Sequence, residues 1–484
     1  MRKPGWSIGS VAMAVAMTLA VPLSAQQGFT RFFPPEEFAA RRAKVMEHIG
    51  DAVAVMQGTT ERAGEEPLRQ ANQFFYLTGV VEPRAFLIID GRTKRTALFL
   101  QLYDAGRAGR NYGPYLGPGD EAAKTTGMDL VLVRDSFATA ITRLAAEGRT
   151  IVTPFRAEVQ SSESADDPGA LNRNNKRDPW DGRMSREEAF LAHLRDAAPK
   201  SEIRNLDPLL DSLRAFKSPR EIAVIREATR QAGLGIMEVM RDAKPGMHEY
   251  ELEAAAEYVY KRGGAWGEAY FPLIAGGPRM QLTHYHKNDG KLVDGELVQF
   301  DWAPDYANYT SDVTRVFPAN GKFTPRQAEY YTIYLRLYQS VLTSIRPHVT
   351  GREIMDSAVV KMDRIMAAYR FSDPKIRAAA EDFVRRYRRN PDGSGLRAVL
   401  GHSVGMEVHD VRNITPTLEP GYIFTIEPQM TIEGGDLSVR LEDMILITES
   451  GYEVLSGFVP IEIAEIEKLM KQPGLGSHAI KLPK

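Results

Sequence analysis

The chain has 484 residues, enough for about two or three domains. Apolar residues make up 43% and charged residues 26%, which are ordinary globular values and argue against a disordered or polytopic membrane protein. Lys plus Arg (61) nearly balances Asp plus Glu (63), so the usual electrostatic basis for binding nucleic acid is absent. The lack of cysteine excludes disulfides, thiolate metal sites and a cysteine nucleophile. Any metal must therefore be held by His, Asp and Glu.

The first 25 residues predict a cleavable secretory signal. Two basic residues precede an apolar run from Ile8 to Leu23, and the small residues Ser24 and Ala25 follow it. We expect cleavage after Ala25 and a periplasmic or secreted protein that is free of the membrane once the signal is removed. An uncleaved signal anchor is the alternative, because Leu23 is larger than the residue preferred in a cleavage site.

Residues 30–210 are expected to form an α/β domain. Short apolar runs have the length and composition of strands at 52–56, 86–89, 97–100 and 130–133. Residues 36–48 and 136–147 have helical character, and the alternation of the two patterns predicts the α/β class. The polar stretch 160–183 is interpreted as an exposed insertion.

Residues 215–470 are expected to form a second domain of mixed α+β structure, followed by a tail at 471–484. A helix start is predicted at Ser218, where Pro219 suits the first turn and Glu221 completes a capping box. The same signal recurs at Thr324 and Thr350, with strand-like runs between the helices. The basic cluster 385–389 is interpreted as the solvated end of a helix rather than an anion site.

Acidic residues stand at the ends of two strand-like runs in this second domain. Asp301 follows the apolar run 297–300, and Asp312, 11 residues later, precedes the apolar run 313–317. Either acid alone could be an ordinary turn residue. Two strands joined by a loop would place the carboxylates side by side, and such a buried pair repels unless a proton or cation lies between them.

Further on, imidazoles and buried acids recur in the same domain. His402 and His409 are seven residues apart, and Glu427 and Glu442 each lie within an apolar run. Buried Glu is rare unless it is paired or bound to a metal. A single His on an apolar face is more often a core residue, but four of the nine histidines fall in these segments, at 284, 286, 402 and 409.

This set of residues resembles the five-ligand signature of the pita-bread metallopeptidases, most closely the proline-specific branch of aminopeptidase P and prolidase. The motifs that carry the resemblance are Asp301, Asp312, His402, Glu427-Pro428 and Arg440-Leu441-Glu442-Asp443, supported by Thr283-His284-Tyr285 and by residues 217–222 and 312–324. Residues 69–79 are similar to the non-catalytic N-terminal domain of aminopeptidase P. The resemblance extends from about Glu36 nearly to the C-terminus.

The resemblance implies an α/β non-catalytic domain followed by an α+β pita-bread catalytic domain that binds two divalent ions. The implied ligands are Asp301, Asp312, His402, Glu427 and Glu442. Four carboxylates balance the charge of two divalent ions, and an oxygen-rich site with one imidazole suits manganese, with zinc or cobalt as alternatives. By the same resemblance, Glu427 transfers a proton, His409 and His284 stabilise the tetrahedral intermediate, and Arg440 orients the ligands or the substrate. The proline pocket is expected to involve His284, Val408, His409 and Arg440.

The implied activity is removal of the N-terminal residue from small peptides of the form Xaa-Pro-Yaa, by a homo-oligomer. A Xaa-Pro dipeptidase is the near alternative. A non-catalytic pseudo-peptidase and a metal-free hydrolase of the creatinase kind are further alternatives, although both lack the full ligand set. Several features depart from the family pattern. Ala398 stands where aminopeptidase P often has another His shortly before the ligand His, residues 160–183 and 372–395 are longer than expected, and Phe75 occupies the position of an aromatic gate.

Overall fold

The computed structural model describes residues 31–61, 68–102, 116–159, 164, 166–389, 400–411, 416–432, 434–435 and 437–478. The predicted signal at 1–25 and the end of the predicted tail lie outside the described residues, so both stay predictions. In the part of the chain that is described, no helix has the length and apolar character needed to cross a membrane.

The first half of the chain is built on one mixed sheet. Its elements are α1 (Pro35–Ile49), β1 (Val53–Gln57), α2 (Asn72–Thr78), β2 (Phe86–Asp90), β3 (Arg95–Leu100), α3 (Asp120–Thr126), β4 (Leu130–Val133), α4 (Phe137–Ala146), β5 (Ile151–Thr153), α5 (Asp166–Arg177), α6 (Arg186–Ala197), β6 (Ile203–Asn205) and α7 (Asp207–Ala215). The strand order is β4-β3-β2-β1-β5-β6. Strands β1, β2 and β3 pair antiparallel, whereas β4, β5 and β6 are added in parallel.

Both faces of this sheet are covered. Val53 and Val55 of β1 pack in one apolar cluster, and Ala54 and Met56 pack in the other. Successive side chains of a strand point to opposite faces, so the uninterrupted apolar run 52–56 is what a doubly covered strand requires. The predicted strands and helices of this half, and its α/β class, are confirmed.

Two local predictions in the first half have different outcomes. The described part of 160–183 is mostly exposed or partly exposed, as predicted, although Ser164 is buried. It contains helix α5, and Trp180 beyond that helix is 96% exposed. Phe75 is 1% exposed and packs in α2 against Phe38, with ring centroids 6.0 Å apart. The expectation that Phe75 acts as an aromatic gate is therefore wrong, because its ring is fixed in the core.

The described part of the second half combines long helices with four small sheets. Its elements are α8 (Pro219–Asp242), α9 (Glu249–Arg262), β7 (Gly267–Glu268), β8 (Leu273–Gly276), β9 (Leu297–Asp301), β10 (Pro304–Asp305), β11 (Thr314–Pro318), α10 (Pro325–Leu342), α11 (Gly351–Ala368), α12 (Pro374–Tyr387), β12 (Ile423–Ile426), β13 (Gln429–Thr431), β14 (Ser438–Arg440), β15 (Asp443–Thr448), β16 (Gly451–Val454) and α13 (Ile463–Leu469). The described sheets are β11-β9-β8, β12-β15-β16, β10-β7 and β13-β14. The predicted α+β class is confirmed.

The helix starts of this half follow the predicted local chemistry. The Ser218 hydroxyl accepts a hydrogen bond from the Glu221 backbone N–H, and the Glu221 carboxylate accepts one from the Ser218 N–H. The same reciprocal pair forms at Thr324 and at Thr350. Just after the C-terminal end of α12, Arg388 and Arg389 form exposed ion pairs with acids of α11. These pairs confirm the interpretation of 385–389 as a solvated helix end.

Helix α10 holds the strands that surround the candidate site. Tyr330, Tyr334 and Tyr338 are four residues apart and therefore lie along one face of the helix. The Tyr334 hydroxyl donates to the carbonyl of Pro428 at 2.6 Å and accepts from the backbone N–H of Leu441 at 2.8 Å. One buried phenol thus ties together the residues that follow Glu427 and precede Glu442.

Candidate functional site

The two predicted aspartates are side by side at the end of a hairpin-like pair of strands. Asp301 is the last residue of β9, opposite Thr314 of β11, and Asp312 lies two residues before Thr314. Both carboxylates are buried. The Tyr270 hydroxyl is 2.7 Å from an oxygen of each, so it holds the pair at a fixed separation. The predicted juxtaposition is confirmed, although the connecting segment also contains β10.

His402, Glu427 and Glu442 converge on the same place from three separate segments. The His402 Nε2 atom lies 3.4 Å from Asp312 Oδ2, 3.4 Å from Glu427 Oε1 and 3.8 Å from Glu442 Oε1. Ligand atoms of Asp312, His402 and Glu442 all lie within 4.8 Å of one another. Asp301 joins this group through Tyr270. The structure therefore brings together all five residues predicted to bind metal.

The site contains more negative charge than its neighbours neutralise. Burial raises the pKa of Asp312 well above its usual range, and the nearby Asp301 and Glu427 carboxylates raise it further. Burial, then Asp312 and Glu427, raise the pKa of Glu442 in the same way. Carboxyl groups with this behaviour need a proton or a cation between them.

The hydrogen bonding of Glu442 fits a site for a divalent cation. Glu442 Oε2 accepts a hydrogen bond from the Thr314 hydroxyl at 2.8 Å, whereas the buried Oε1 atom has no hydrogen-bond partner among the described residues. Buried polar atoms are normally satisfied. This unsatisfied oxygen faces the His402 imidazole and further carboxylates. Together they form a set of hard oxygen donors with one nitrogen, which suits divalent first-row metals.

Arg440 is the cation nearest to this cluster. It ends β14, its side chain is buried, and its guanidinium forms an ion pair with Asp301. One guanidinium cannot neutralise four carboxylates, so it leaves a net negative site. Its position supports the predicted role of orienting a ligand, since Asp301 is held between Arg440 and Tyr270.

The remaining predicted residues differ in their distance from this cluster. His409 is exposed, and its ring centroid is 3.9 Å from that of His402, so it lies beside the candidate ligands. Val408 is buried next to it. His284 is exposed, and its ring lies near that of Phe271, with centroids 6.3 Å apart. Among the described residues it has no ring contact or ion pair with a candidate ligand. Phe271 follows Tyr270 in the chain, and this adjacency is the link between His284 and the site.

Residues that position the site were missed by sequence reasoning. Tyr270 bridges two candidate ligands, Thr314 binds a third, and Tyr334 fixes the segments that carry Glu427 and Glu442. Each acts through one hydroxyl whose partner is distant in sequence. A buried tyrosine in an apolar run is common, so only the position of Thr314, two residues after Asp312, offered a local signal.

Comparison with known proteins gives consistent matches along both halves. The sequence model described as metallopeptidase family M24 matches residues 223–449, and that described as the aminopeptidase P N-terminal domain matches residues 38–152. Xaa-Pro aminopeptidase from Escherichia coli (strain K12) is 30% identical over 455 residues, covering 90% of this chain and 97% of that protein. Human Xaa-Pro dipeptidase is 26% identical over 499 residues, covering 90% of this chain and 93% of that protein.

Solved structures show the same likeness. Proline aminopeptidase P II from Yersinia pestis is 29% identical with a TM-score of 0.70, covering 91% of this chain and 100% of that one. Aminopeptidase P from Escherichia coli with the inhibitor Pro-Leu is 26% identical with a TM-score of 0.70, covering 91% and 98%. The likeness therefore includes both the first half and the half that carries the candidate ligands.

Proposed function

The chain belongs to metallopeptidase family M24, in its aminopeptidase P branch, and removes the amino-terminal residue that precedes a proline. We propose that the five candidate ligands and the residues beside them carry out this reaction. The protein is a metalloaminopeptidase with the two-domain fold of that branch. The observation that carries the proposal is the convergence of three carboxylates on the His402 Nε2 atom, with Asp301 held beside them through Tyr270.

We propose that the divalent metal ions of this family number two in each chain and are held by five side chains: Asp301, Asp312, His402, Glu427 and Glu442. Manganese is the proposed metal, with zinc and cobalt as alternatives, because the donors are mainly carboxylate oxygens. Divalent ions bound at such a site acidify water and polarise the scissile carbonyl.

The chain's own residues have separable roles in this proposal. Glu427 has a side chain that is 30% exposed, against 2% for Glu442 and 7% for Asp312, so it is the most accessible of these three carboxylates. That position suits a group that takes a proton from the attacking water and delivers it to the leaving nitrogen. We propose that His409, which is exposed beside His402, donates a hydrogen bond to the developing oxyanion. Arg440 keeps Asp301 in its orientation.

Substrate choice follows from the chemistry of the Xaa-Pro bond. Proline has no amide N–H, so recognition must come from a pocket for its ring rather than from a hydrogen bond to that donor. We propose that Val408, His409, His284 and Arg440 line this pocket, with Val408 supplying the apolar contact. The net negative charge of the ligand cluster favours a substrate with a free α-amine close to the scissile bond.

One assay tests the activity. The manganese-loaded protein is given Xaa-Pro-Yaa, the matched Xaa-Ala-Yaa, the dipeptide Xaa-Pro and N-acetyl-Xaa-Pro-Yaa. We expect the first to be cleaved with release of Xaa and the acetylated peptide to be a poor substrate. Comparable kcat/KM for the acetylated peptide would contradict exopeptidase activity, and hydrolysis restricted to the dipeptide would favour the dipeptidase alternative. A metal-loaded protein that cleaves none of them would favour the pseudo-peptidase.

We also propose that the protein is exported and assembles as a homo-oligomer. Export rests on the charge asymmetry and apolar run of residues 1–25. N-terminal sequencing of the protein from its native host should begin near Gln26, and a mature cytoplasmic chain that begins at Met1 would contradict export. Light scattering coupled to gel filtration tests the oligomer, and a monomer at micromolar concentration would contradict it.

A further inference from the structure

A buried polar cluster joins the first half of the chain to the two loops that carry site residues. We call it the interdomain clamp and define it as Arg69, Asn72, Arg214, Asp305, Glu407 and Asp410. Asp305 lies between the candidate ligands Asp301 and Asp312, and Glu407 and Asp410 lie on either side of His409. We propose that the clamp positions His409 for the reaction, so that Arg69 and Asn72 of the first half are positioning residues of the active site. This inference rests on the proposed peptidase function.

Arg69 contacts both loops at once. Its guanidinium forms an ion pair with the buried Asp305. The same group donates hydrogen bonds to the carbonyls of Asn308, at 3.5 Å, and Met406, at 3.1 Å. The two loops also bond directly, because the Thr310 N–H donates to the Gly405 carbonyl at 2.8 Å. A planar guanidinium with several fixed donors is suited to hold carbonyls and a carboxylate in one arrangement.

Asn72 and Arg214 hold Glu407 from two directions. Asn72 Nδ2 and Arg214 Nη2 each donate to Glu407 Oε1, at 3.0 Å in both cases. Asn72 is oriented in turn by Arg69, whose Nη1 atom donates to the Asn72 side-chain oxygen at 2.6 Å. All four side chains are buried or nearly so, which makes these bonds strongly directional.

Asp410 fixes the other side of His409. It forms ion pairs with Arg214 and with Lys217, the latter at 3.1 Å, and its backbone N–H donates to the Ser403 carbonyl at 2.9 Å. A Cβ atom at position 405 would overlap the Asp410 carboxylate, so the glycine there permits this close packing. The loop from Ser403 to Asp410 is therefore closed on itself and bound to the rest of the protein at both ends.

The charges of this region balance within the chain. Arg69, Arg214 and Lys217 face Asp305, Glu407 and Asp410, three cations against three carboxylates. Buried pairs of this kind contribute little net stability compared with apolar residues of the same volume, but they allow few alternative arrangements. The burial of Glu407 and Asp410 fixes the backbone on both sides of the exposed His409.

The test is Asn72→Ala in the manganese-loaded full-length protein, compared with Glu37→Gln as the matched control. Glu37 also bonds across the two halves, accepting from the Ser218 hydroxyl at 2.6 Å, but it contacts neither loop. We expect Asn72→Ala to lower kcat for Xaa-Pro-Yaa by about 10-fold or more, with KM and metal content near the wild-type values. In the His409→Ala background the same substitution should have almost no further effect on kcat.

A second measurement does not depend on activity. Amide hydrogen exchange of the segment 403–411 should be faster in Asn72→Ala than in wild type, and unchanged in Glu37→Gln. Unchanged exchange in this segment, or a kcat effect that persists in full without His409, would overturn the inference. If the wild-type protein cleaves no Xaa-Pro peptide while exchange still rises in Asn72→Ala, the proposed function fails and the structural part of the clamp stands.

Discussion

Glu442 and Asp443 are adjacent and both are buried, yet their surroundings are opposite in charge. Successive side chains around a strand point in opposite directions, so Glu442 faces the candidate metal ligands and Asp443 faces Arg315. Asp443 also accepts hydrogen bonds from Tyr338, at 2.6 Å, and from Ser456. Burial raises the pKa of Asp443, but Arg315 and these bonds outweigh it, and the pKa is lowered.

The comparison separates two uses of a buried acid. A carboxylate with a cation inside the chain, such as Asp443, stays ionised and contributes to the fold. A carboxylate that faces mainly other carboxylates, such as Glu442, has its pKa raised and requires a proton or an external cation. Burial is the same in both cases, so the partner determines whether the residue serves structure or chemistry.

The largest effect is expected where a candidate ligand loses its charge. Asp312→Asn or Glu442→Gln should lower kcat/KM for Xaa-Pro-Yaa by at least ~10³-fold, because each removes a carboxylate that holds the cations. Elemental analysis should show reduced metal content in both variants. Asp443→Asn is the matched control and should retain its metal. Full metal content and activity in Glu442→Gln would show that Glu442 is not a ligand.

Asp443→Asn should instead affect the fold. It leaves the Arg315 guanidinium buried without its carboxylate, and we expect the free energy of unfolding to fall by ~3–5 kcal/mol near pH 7. Because the pKa of Asp443 is lowered in the folded state, this stabilisation is present above the unfolded pKa and is lost as the pH falls. Urea denaturation of wild type and variant at pH 7 and at about pH 3, below the unfolded pKa, should therefore give a smaller difference at the lower pH. A constant difference would contradict the charge-based account.

His409→Ala should affect the chemistry alone. We expect turnover to fall by roughly 10²-fold while metal content stays near normal, since His409 lies beside the ligands without belonging to the predicted set. Steady-state kinetics and elemental analysis of the same preparation measure both quantities. Loss of metal in this variant would instead show that His409, like Glu442, helps to hold the metal.

Glu82 provides a buried acid in the first half of the chain, outside the set of candidate ligands. Burial raises its pKa to about 7, partly offset by a 2.7 Å hydrogen bond from the Leu116 N–H. The folded state therefore binds more protons than the unfolded state between about pH 4.5 and 7, and stability falls as pH rises through this range. Glu82→Gln removes that penalty and should stabilise the protein by ~1–3 kcal/mol at pH 8, with little gain at pH 4.

Denaturation of Glu82→Gln with and without chelator completes this test. The gain should be the same in both conditions, because Glu82 belongs to the first half and contacts no candidate ligand. If the stability gained by Glu82→Gln depended on metal, the protonation of Glu82 would be coupled to the metal site.

Features with a local cause were predictable from the sequence. The capping boxes at Ser218, Thr324 and Thr350 each involve residues three apart, so the pattern contains all the information needed. Asp301 and Asp312 could be paired because the two strands are joined by a short connection. The ligands on separate segments, His402, Glu427 and Glu442, depended on the family resemblance, since no local spacing relates them.

Features that depend on distant partners were not predictable. Asp443 pairs with Arg315 across 128 residues and Asn72 bonds Glu407 across 335, and neither sequence neighbourhood identifies its partner. Phe75 illustrates the opposite error, because its position in a familiar motif suggested an aromatic gate, whereas its ring packs in the core against Phe38. The signal peptide and the oligomer stay predictions.

The interdomain clamp has a consequence for how such two-part enzymes can be recombined. Asp305, Glu407 and Asp410 belong to one half, whereas Arg69 and Arg214 come from outside it. A chimera that exchanged residues 30–215 for those of a relative without cations at the positions of Arg69 and Arg214 would keep three buried carboxylates and, of their three cations, only Lys217. The two halves are therefore not freely interchangeable modules. A replacement first half must also supply the cations that pair with Asp305, Glu407 and Asp410, even if those cations do not touch the substrate.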